Sequence, residues 1–320
     1  MIGQALTVGH SGKHLLPVRA ISPTTRPDRV ARARLSPMPP RTSPTLRQLR
    51  LGTELRRMRE QSGLSINEAA TALGVSRTHI TNVELARFGV SEQRVRTLAA
   101  IYRTPDESYV DALVGMAQDR RSGWWEEYRG TLATGALDLA ELEFHAVNLR
   151  MFALVHVPGL LQTEEYARAV LAERVPSWPG AELRRRLSYR MKRRDILDRD
   201  DPPACTFFLH ESALRLHFGS PDTMRAQLKE LVEASRRRNV TVRIIPFSAG
   251  GFPVPGLTMS YVSGPVPQLD SVQLDTAIGA EFLDAPTQLA NYRVLVERIT
   301  KAALPQRESR EFFHSVAQSI

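Results

Sequence analysis

Apolar positions in the first part of the chain recur at helical spacing. Leu51, Leu55 and Met58 are separated by four and three residues, predicting an amphipathic helix from about Thr45 to Gln61 that Gly63 closes. Residues 65–87, SINEAATALGVSRTHITNVELAR, then encode two short helices around a one-glycine turn. Ser65 followed by Glu68 reads as a capping box, and Ser76 as a second N-cap. Ala70, four residues before Gly74, is small where the helices must cross, and Gly74 can take the left-handed conformation that ends the first. Ile80 and Val83, with Leu73 and Val75, form the buried seam. A further helix from Ser91 turns Val95, Leu98, Ala99 and Tyr102 inward before Pro105, and the stripe Tyr109, Leu113, Met116 marks the next. Residues 45–119 are therefore expected to form a five-helix all-α domain.

Beyond a connector at 120–138, where Trp124, Trp125 and Tyr128 are expected to anchor one domain on another, the pattern changes. Strand-like runs at 143–156, 204–210, 240–247, 257–263 and 271–276 alternate with helical stretches at 163–173, 180–198, 221–238 and 286–303, and a last helix begins near Gln306. The closely spaced final strands predict antiparallel pairing. The expected class is α+β, with an antiparallel sheet in the second domain, residues 139–320.

The second helix of the pair leaves Arg77, Thr78, Thr81 and Asn82 outward. An Arg fork matches guanine O6/N7, an Asn amide matches adenine N6/N7, and a Thr methyl can meet thymine; each good bidentate pair discriminates by about 1–3 kcal/mol. A polar helix face can also be merely solvated. The capped, correctly spaced framework favours a DNA reader, with double-stranded DNA as partner. Half-sites about one helical turn apart, bound by a homodimer, are expected of this motif class.

The run LGTELRRMREQSGLSINEAATALGVSRTHITNVE resembles the DNA-binding domain of XRE-type (Cro/phage-repressor-like) regulators. Two positions depart from that pattern: Ile66 stands where such domains often place a phosphate-fixing Gln, and Ala86 where they often have Gly. Ser65, Arg50, Arg57 and Arg87 are the phosphate-contact candidates that remain. The segments VHVPGLLQTEEYARAVL, RMKRRDILDRDDPP, HESALR, QLKELVEASRRRNVTVRIIPFSAG and AALPQRESREF resemble the C-terminal domain of actinobacterial, antitoxin-like XRE regulators of the Scr type. Together the two resemblances cover residues 45–320. They imply a regulator acting with a small companion protein encoded nearby. Gln273, Leu274 and Asp275 stand where relatives commonly have Tyr-Val-Glu.

Composition bounds this reading. At 320 residues and 42% hydrophobic content the chain can bury real cores. Its one cysteine, Cys205, excludes a disulfide framework and fits a reducing cytoplasm. The absence of a long apolar run or a signal-like start predicts no membrane association. The net charge of +9 is concentrated in residues 1–44, which carry six Arg and one Lys against one Asp, whereas 45–119 hold ten Arg against nine acids. A nearly neutral reading domain must attract phosphate through local placement. Residues 1–44, rich in Pro, Ser, Thr and Arg, read as a disordered arm that is a DNA-tracking extension, an inert tail, or sequence upstream of a true start at Met38.

No catalytic constellation can be assembled, so no enzyme activity, cofactor or metal is expected. His210, Glu211 and His217 miss the HExxH spacing, and the glycines at 250–251 lack the Lys and following helix of a phosphate loop. PGLLQTEEYA reads as a strand end and helix start with Thr163 as N-cap, and the Arg-rich stretch 184–194 as a mostly solvated face. The leading expectation is a sequence-specific transcriptional regulator whose C-terminal domain receives a companion protein. The alternative is a one-component small-molecule sensor.

Overall fold

Five helices open the described part of the chain: α1 (Leu46–Gln61), α2 (Ile66–Leu73), α3 (Arg77–Glu84), α4 (Glu92–Ile101) and α5 (Glu107–Gln118). They follow the predicted apolar periodicity, and each has a side-chain N-cap: Thr45, Ser65, Ser76, Ser91 and Asp106. The computed structural model describes residues 43–119, 123–254, 256, 258–276 and 279–320. The expectations for the basic arm fall almost wholly outside them.

The rest of the chain comprises α6 (Thr134–Phe144), β1 (Asn148–Ala153), α7 (Glu164–Ala172), α8 (Gly180–Arg193), β2 (Ala204–His210), α9 (Ser212–Arg215), α10 (Pro221–Ala234), β3 (Val240–Ile245), β4 (Thr258–Ser263), β5 (Ser271–Thr276), β6 (Gly279–Leu283), α11 (Pro286–Ala302) and α12 (Gln306–Gln318). The six strands form one sheet in the order β3-β2-β1-β4-β5-β6. β1, β2 and β3 run parallel, whereas β1–β4, β4–β5 and β5–β6 pair antiparallel. The α+β class therefore stands, but the sheet is mixed rather than antiparallel. Helices α7 and α8 carry the chain from β1 to β2, and α9 and α10 from β2 to β3; such crossovers return the chain in the same direction. Only the helix-free final strands follow the antiparallel expectation.

The sheet is buried on both faces through β1–β4 and the first half of β5, whereas β6 has no buried residue. Leu149, Met151, Phe207, Leu209, Val242 and Ile244 pack with Leu228, Leu231 and Phe313 in one cluster. Phe152, Phe208, Ile245, Met259, Tyr261 and Val272 pack with Leu289, Val296 and Ile299 of α11 in another. Unbroken burial from Phe207 to His210 in β2 is what a strand covered on both sides requires. The predicted strand at 143–156 resolves into the end of α6 and the shorter β1, and β6 escaped prediction because Gly279–Leu283 lacks a run of β-branched residues. Helix α6 also crosses the expected linker boundary at 138/139.

Residues 43–320 form one compact unit, with a tight seam between α1–α5 and the sheet-bearing part. Leu269 inserts into the helical core. Arg50 Nη2 donates to the Gln268 carbonyl at 2.6 Å, Gln268 Nε2 to Asp106 Oδ2 at 2.8 Å, and the Leu46 amide to Asp138 Oδ1 at 3.2 Å.

Candidate nucleic-acid interface

Helices α2 and α3 are set by local chemistry. The Ser65 hydroxyl accepts from the Glu68 amide at 3.2 Å while Glu68 Oε2 accepts from the Ser65 amide at 2.8 Å, satisfying two of the donors a helix start leaves open. The same Ser65 bonds hold the exposed Glu68 carboxyl below its usual range. Gly74 sits at φ 70°, ψ 35°, the left-handed cap in which a β-carbon would be strained. Ser76 Oγ then accepts from the His79 amide at 3.2 Å and starts α3. Ala70, Ile80 and Val83 are buried between the helices.

This frame turns one face of α3 outward. Arg77 and Thr78 are exposed, and Thr81 and Asn82 are half-buried. Among the described residues the side chains of Arg77, Thr78 and Asn82 make no hydrogen bond or ion pair, and Thr81 Oγ1 returns only to the Arg77 carbonyl, at 3.2 Å. The loop after α3 is pinned to the helix by Arg87 and Phe88 amides donating to the Asn82 carbonyl at 2.8 and 3.2 Å, which leaves the Arg87 side chain exposed beside the face. Ala86 occupies a left-handed φ of 54°, explaining why glycine suits this position.

The phosphate candidates divide. Arg87 lies on the outer side, and the Ser65 hydroxyl, though it accepts the cap bond, keeps its hydrogen to donate. Arg50 and Arg57 are corrections, because both guanidiniums face the seam. Arg50, 7% exposed, has Nε 2.6 Å from Glu54 Oε1 and Nη1 3.1 Å from Asp284 Oδ2. Arg57 pairs with Glu54 and places Nη2 2.9 Å from Asp284 Oδ1. Glu54 also accepts from the Tyr109 hydroxyl at 2.6 Å, and burial beside that carboxylate raises the phenol's pKa. Ile66 packs against the helical core, leaving no phosphate-fixing amide there.

Two residues that set the pose of α3 escaped sequence reading. A β-carbon on Gly52 of α1 would lie 2.5 Å from the Glu84 carbonyl, so only glycine permits this approach of α1 to the end of α3. Arg59 reaches from α1 to Glu84 with two hydrogen bonds, at 2.6 and 3.0 Å, both side chains being 7% exposed. The signal for Gly52 was an isolated glycine inside a helical pattern. Arg59 carried none, since a charge on a helix usually faces water.

Residues 50–113 match the model of a helix-turn-helix domain, which supports a DNA-binding regulator. Residues 136–315, more than half of the chain, match the model described as domain of unknown function (DUF5753). The chain belongs to the DUF5753 family. No curated protein and no solved structure matches it.

Within the DUF5753 region most chemistry-bearing residues are consumed by structure. Gln162 is fully buried; its amide donates to the Val157 carbonyl at 2.7 Å and accepts from Arg190 Nη1 at 2.9 Å. Gln227 clamps the start of α7, accepting from the Thr163 amide and donating to the Leu161 carbonyl, both at 2.8 Å. His210 meets the Ser212 hydroxyl at 2.6 Å, and Glu211 accepts from the Phe247 amide at 2.9 Å. No group of three metal-ligating side chains occurs among the described residues. Cys205 is buried, which pushes its thiol up to about 12. Trp124, Trp125 and Tyr128 pack with Leu137, Phe144 and Tyr189 rather than forming an open stacking surface. In α8, Arg184 and Arg185 are exposed, but Arg193 turns inward to Glu143, Nε to Oε2 2.9 Å, so that face is only partly solvated. No helix among the described residues is long and apolar enough to cross a membrane.

Proposed function

We propose that this protein is a sequence-specific transcriptional regulator that reads double-stranded DNA with α3 and receives its signal through the DUF5753 domain. The observation carrying this reading is the contrast on α3 itself: Ile80 and Val83 are sealed inside while Arg77, Thr78 and Asn82 stand outward with no internal partner among the described residues. Arg77 and Asn82 take base edges, Thr78 and Thr81 supply shorter contacts, and Ser65 and Arg87 hold phosphates. The division into a basic arm, a reading domain at 45–119, an aromatic connector at 120–138 and a regulatory domain at 139–320 belongs to the same reading.

The resemblance to XRE-type, antitoxin-like regulators extends it. The functional form is a cytoplasmic, nucleoid-associated homodimer on an inverted repeat, and a small companion protein encoded nearby engages the C-terminal domain. Selection of genomic fragments by the full chain tests the DNA assignment. An enriched inverted repeat with half-sites about one helical turn apart is the expected outcome, and failure to enrich any sequence would sink it. Co-expression with the neighbouring small reading frame tests the companion. A stoichiometric complex lost on deleting residues 139–320 is expected, whereas two separately migrating proteins would remove that part.

A further inference from the structure

A cavity of about 640 Å³ opens at the seam, walled by α1 and α5 on one side and by α6 and β4–β6 on the other. That volume is in the range of small-molecule sites, and a junction between two structural parts is where such sites favour forming. Met116, Leu142, Val266 and Phe282 give it apolar walls. Three guanidinium nitrogens of the lining are buried without a hydrogen-bond partner, Arg50 Nε and Nη1 and Arg47 Nε; the two of Arg50 lie 2.6 and 3.1 Å from the carboxylates of Glu54 and Asp284, which leaves Arg47 Nε. A buried donor in that state costs about 1–3 kcal/mol, and only an acceptor relieves it. The lining also carries Asp111, Asp138, Glu141 and Asp284 against the two guanidiniums of Arg47 and Arg50, a balance that opposes an anion. A cation brings no acceptor to Arg47. An uncharged acceptor meets both conditions.

The cavity also adjoins the machinery that poses α3. Helix α1 supplies Arg47 and Arg50 to its wall and, further along, holds α3 through the close approach at Gly52 and the Arg59–Glu84 pair. Gly115 of α5 lines the space, and a β-carbon there would meet no atom within 4 Å. Glycine inside a helix costs about 1 kcal/mol relative to Ala, so a larger residue here would fill the cavity without straining the helix.

We propose that this cavity binds an uncharged, largely apolar organic molecule that presents a carbonyl oxygen to Arg47 Nε, and that its occupancy shifts the affinity of α3 for DNA. The second half rests on the DNA-reading assignment above; the first does not. Coupling follows when the ligand fits one pose of α1 better than another, since only differential binding moves an equilibrium.

The test uses the full chain and prodan, a neutral, solvatochromic naphthyl ketone, first without DNA. Saturable, blue-shifted emission is expected, displaced by 2-acetylnaphthalene and not by 2-naphthoate. Gly115→Leu and Ala112→Leu, which fill the space from the same helix, should each weaken prodan at least about tenfold, and Arg47→Met should weaken it several-fold without lowering the thermal melt of the apo protein, since it removes the unpartnered donor. Unsaturable emission, or binding by both filled variants as tight as by the wild type, would overturn the site. Prodan should then change the affinity of the wild type for its selected sequence and leave Gly115→Leu unmoved. Binding with unaltered DNA affinity would overturn the coupling alone. A protein that selects no DNA would overturn the α3 assignment, while the fluorescence still decides the cavity.

Discussion

Arginines on and beside the outer face of α3 and arginines on the inner face of α1 meet opposite surroundings. Arg77 and Arg87 are exposed and make no ion pair among the described residues, whereas Arg50 and Arg59 are 7% exposed and are held by Glu54, Asp284 and Glu84. The helical part is almost neutral, ten Arg against nine acids, and among the described residues half of those arginines are held in ion pairs. What makes an arginine available to DNA is the absence of an internal partner, not its place in a basic count. In the proposed reading the same contrast separates two contributions to recognition: α3 supplies the contacts, and α1 supplies the pose.

The comparison breaks most visibly at Glu84. Glu84→Ala leaves the Arg59 guanidinium buried without its carboxylate, a loss of about 3–5 kcal/mol by the behaviour of buried ion pairs. Urea denaturation monitored by circular dichroism checks this, and a change under about 1 kcal/mol would place Glu84 with ordinary surface ion pairs. On the outer face the pattern reverses: Arg77→Ala and Asn82→Ala should each cost about 1–3 kcal/mol of specific DNA binding and leave the melting temperature alone. Asp284, 37% exposed, ties Arg50 and Arg57 to the sheet-bearing part, so Asp284→Asn should lower stability by about 1 kcal/mol once solvent screening is allowed for. The smallest effect is expected at Ala86. Relief of its left-handed backbone by Ala86→Gly, partly offset by the freedom glycine adds to the unfolded chain, should raise stability by about 0.5 kcal/mol.

How far the sequence spoke differed between these regions for physical reasons. The motif helices were legible because short-range signals decide them: Ser65 with Glu68, the left-handed Gly74 and the seam of Ile80 and Val83 all act within a few residues. The same holds for β2 and β5, whose bounds match the predicted runs. Strand direction was not legible from the last strands alone, since β1–β3 acquire theirs from the intervening helices. The fate of Arg50 and Arg57 was hidden for a similar reason. Glu54 is a local partner on the same helix, but Asp284, which turns both toward the sheet-bearing part, lies more than two hundred residues away, beyond any local pattern. Gly52 shows the intermediate case: the glycine was visible, but the Glu84 carbonyl it accommodates is supplied by another helix.

Division of labour on the outer face gives the most direct measurement. Binding of the wild type, Arg77→Ala, Asn82→Ala and Arg87→Ala to a library with every single-base change in the selected site should separate them. Arg77→Ala and Asn82→Ala are expected to relax preference at one position each, and Arg87→Ala to weaken all sequences alike and flatten the salt dependence by about one phosphate. Equal losses across every sequence for all three variants, or no loss for any, would contradict base reading by α3.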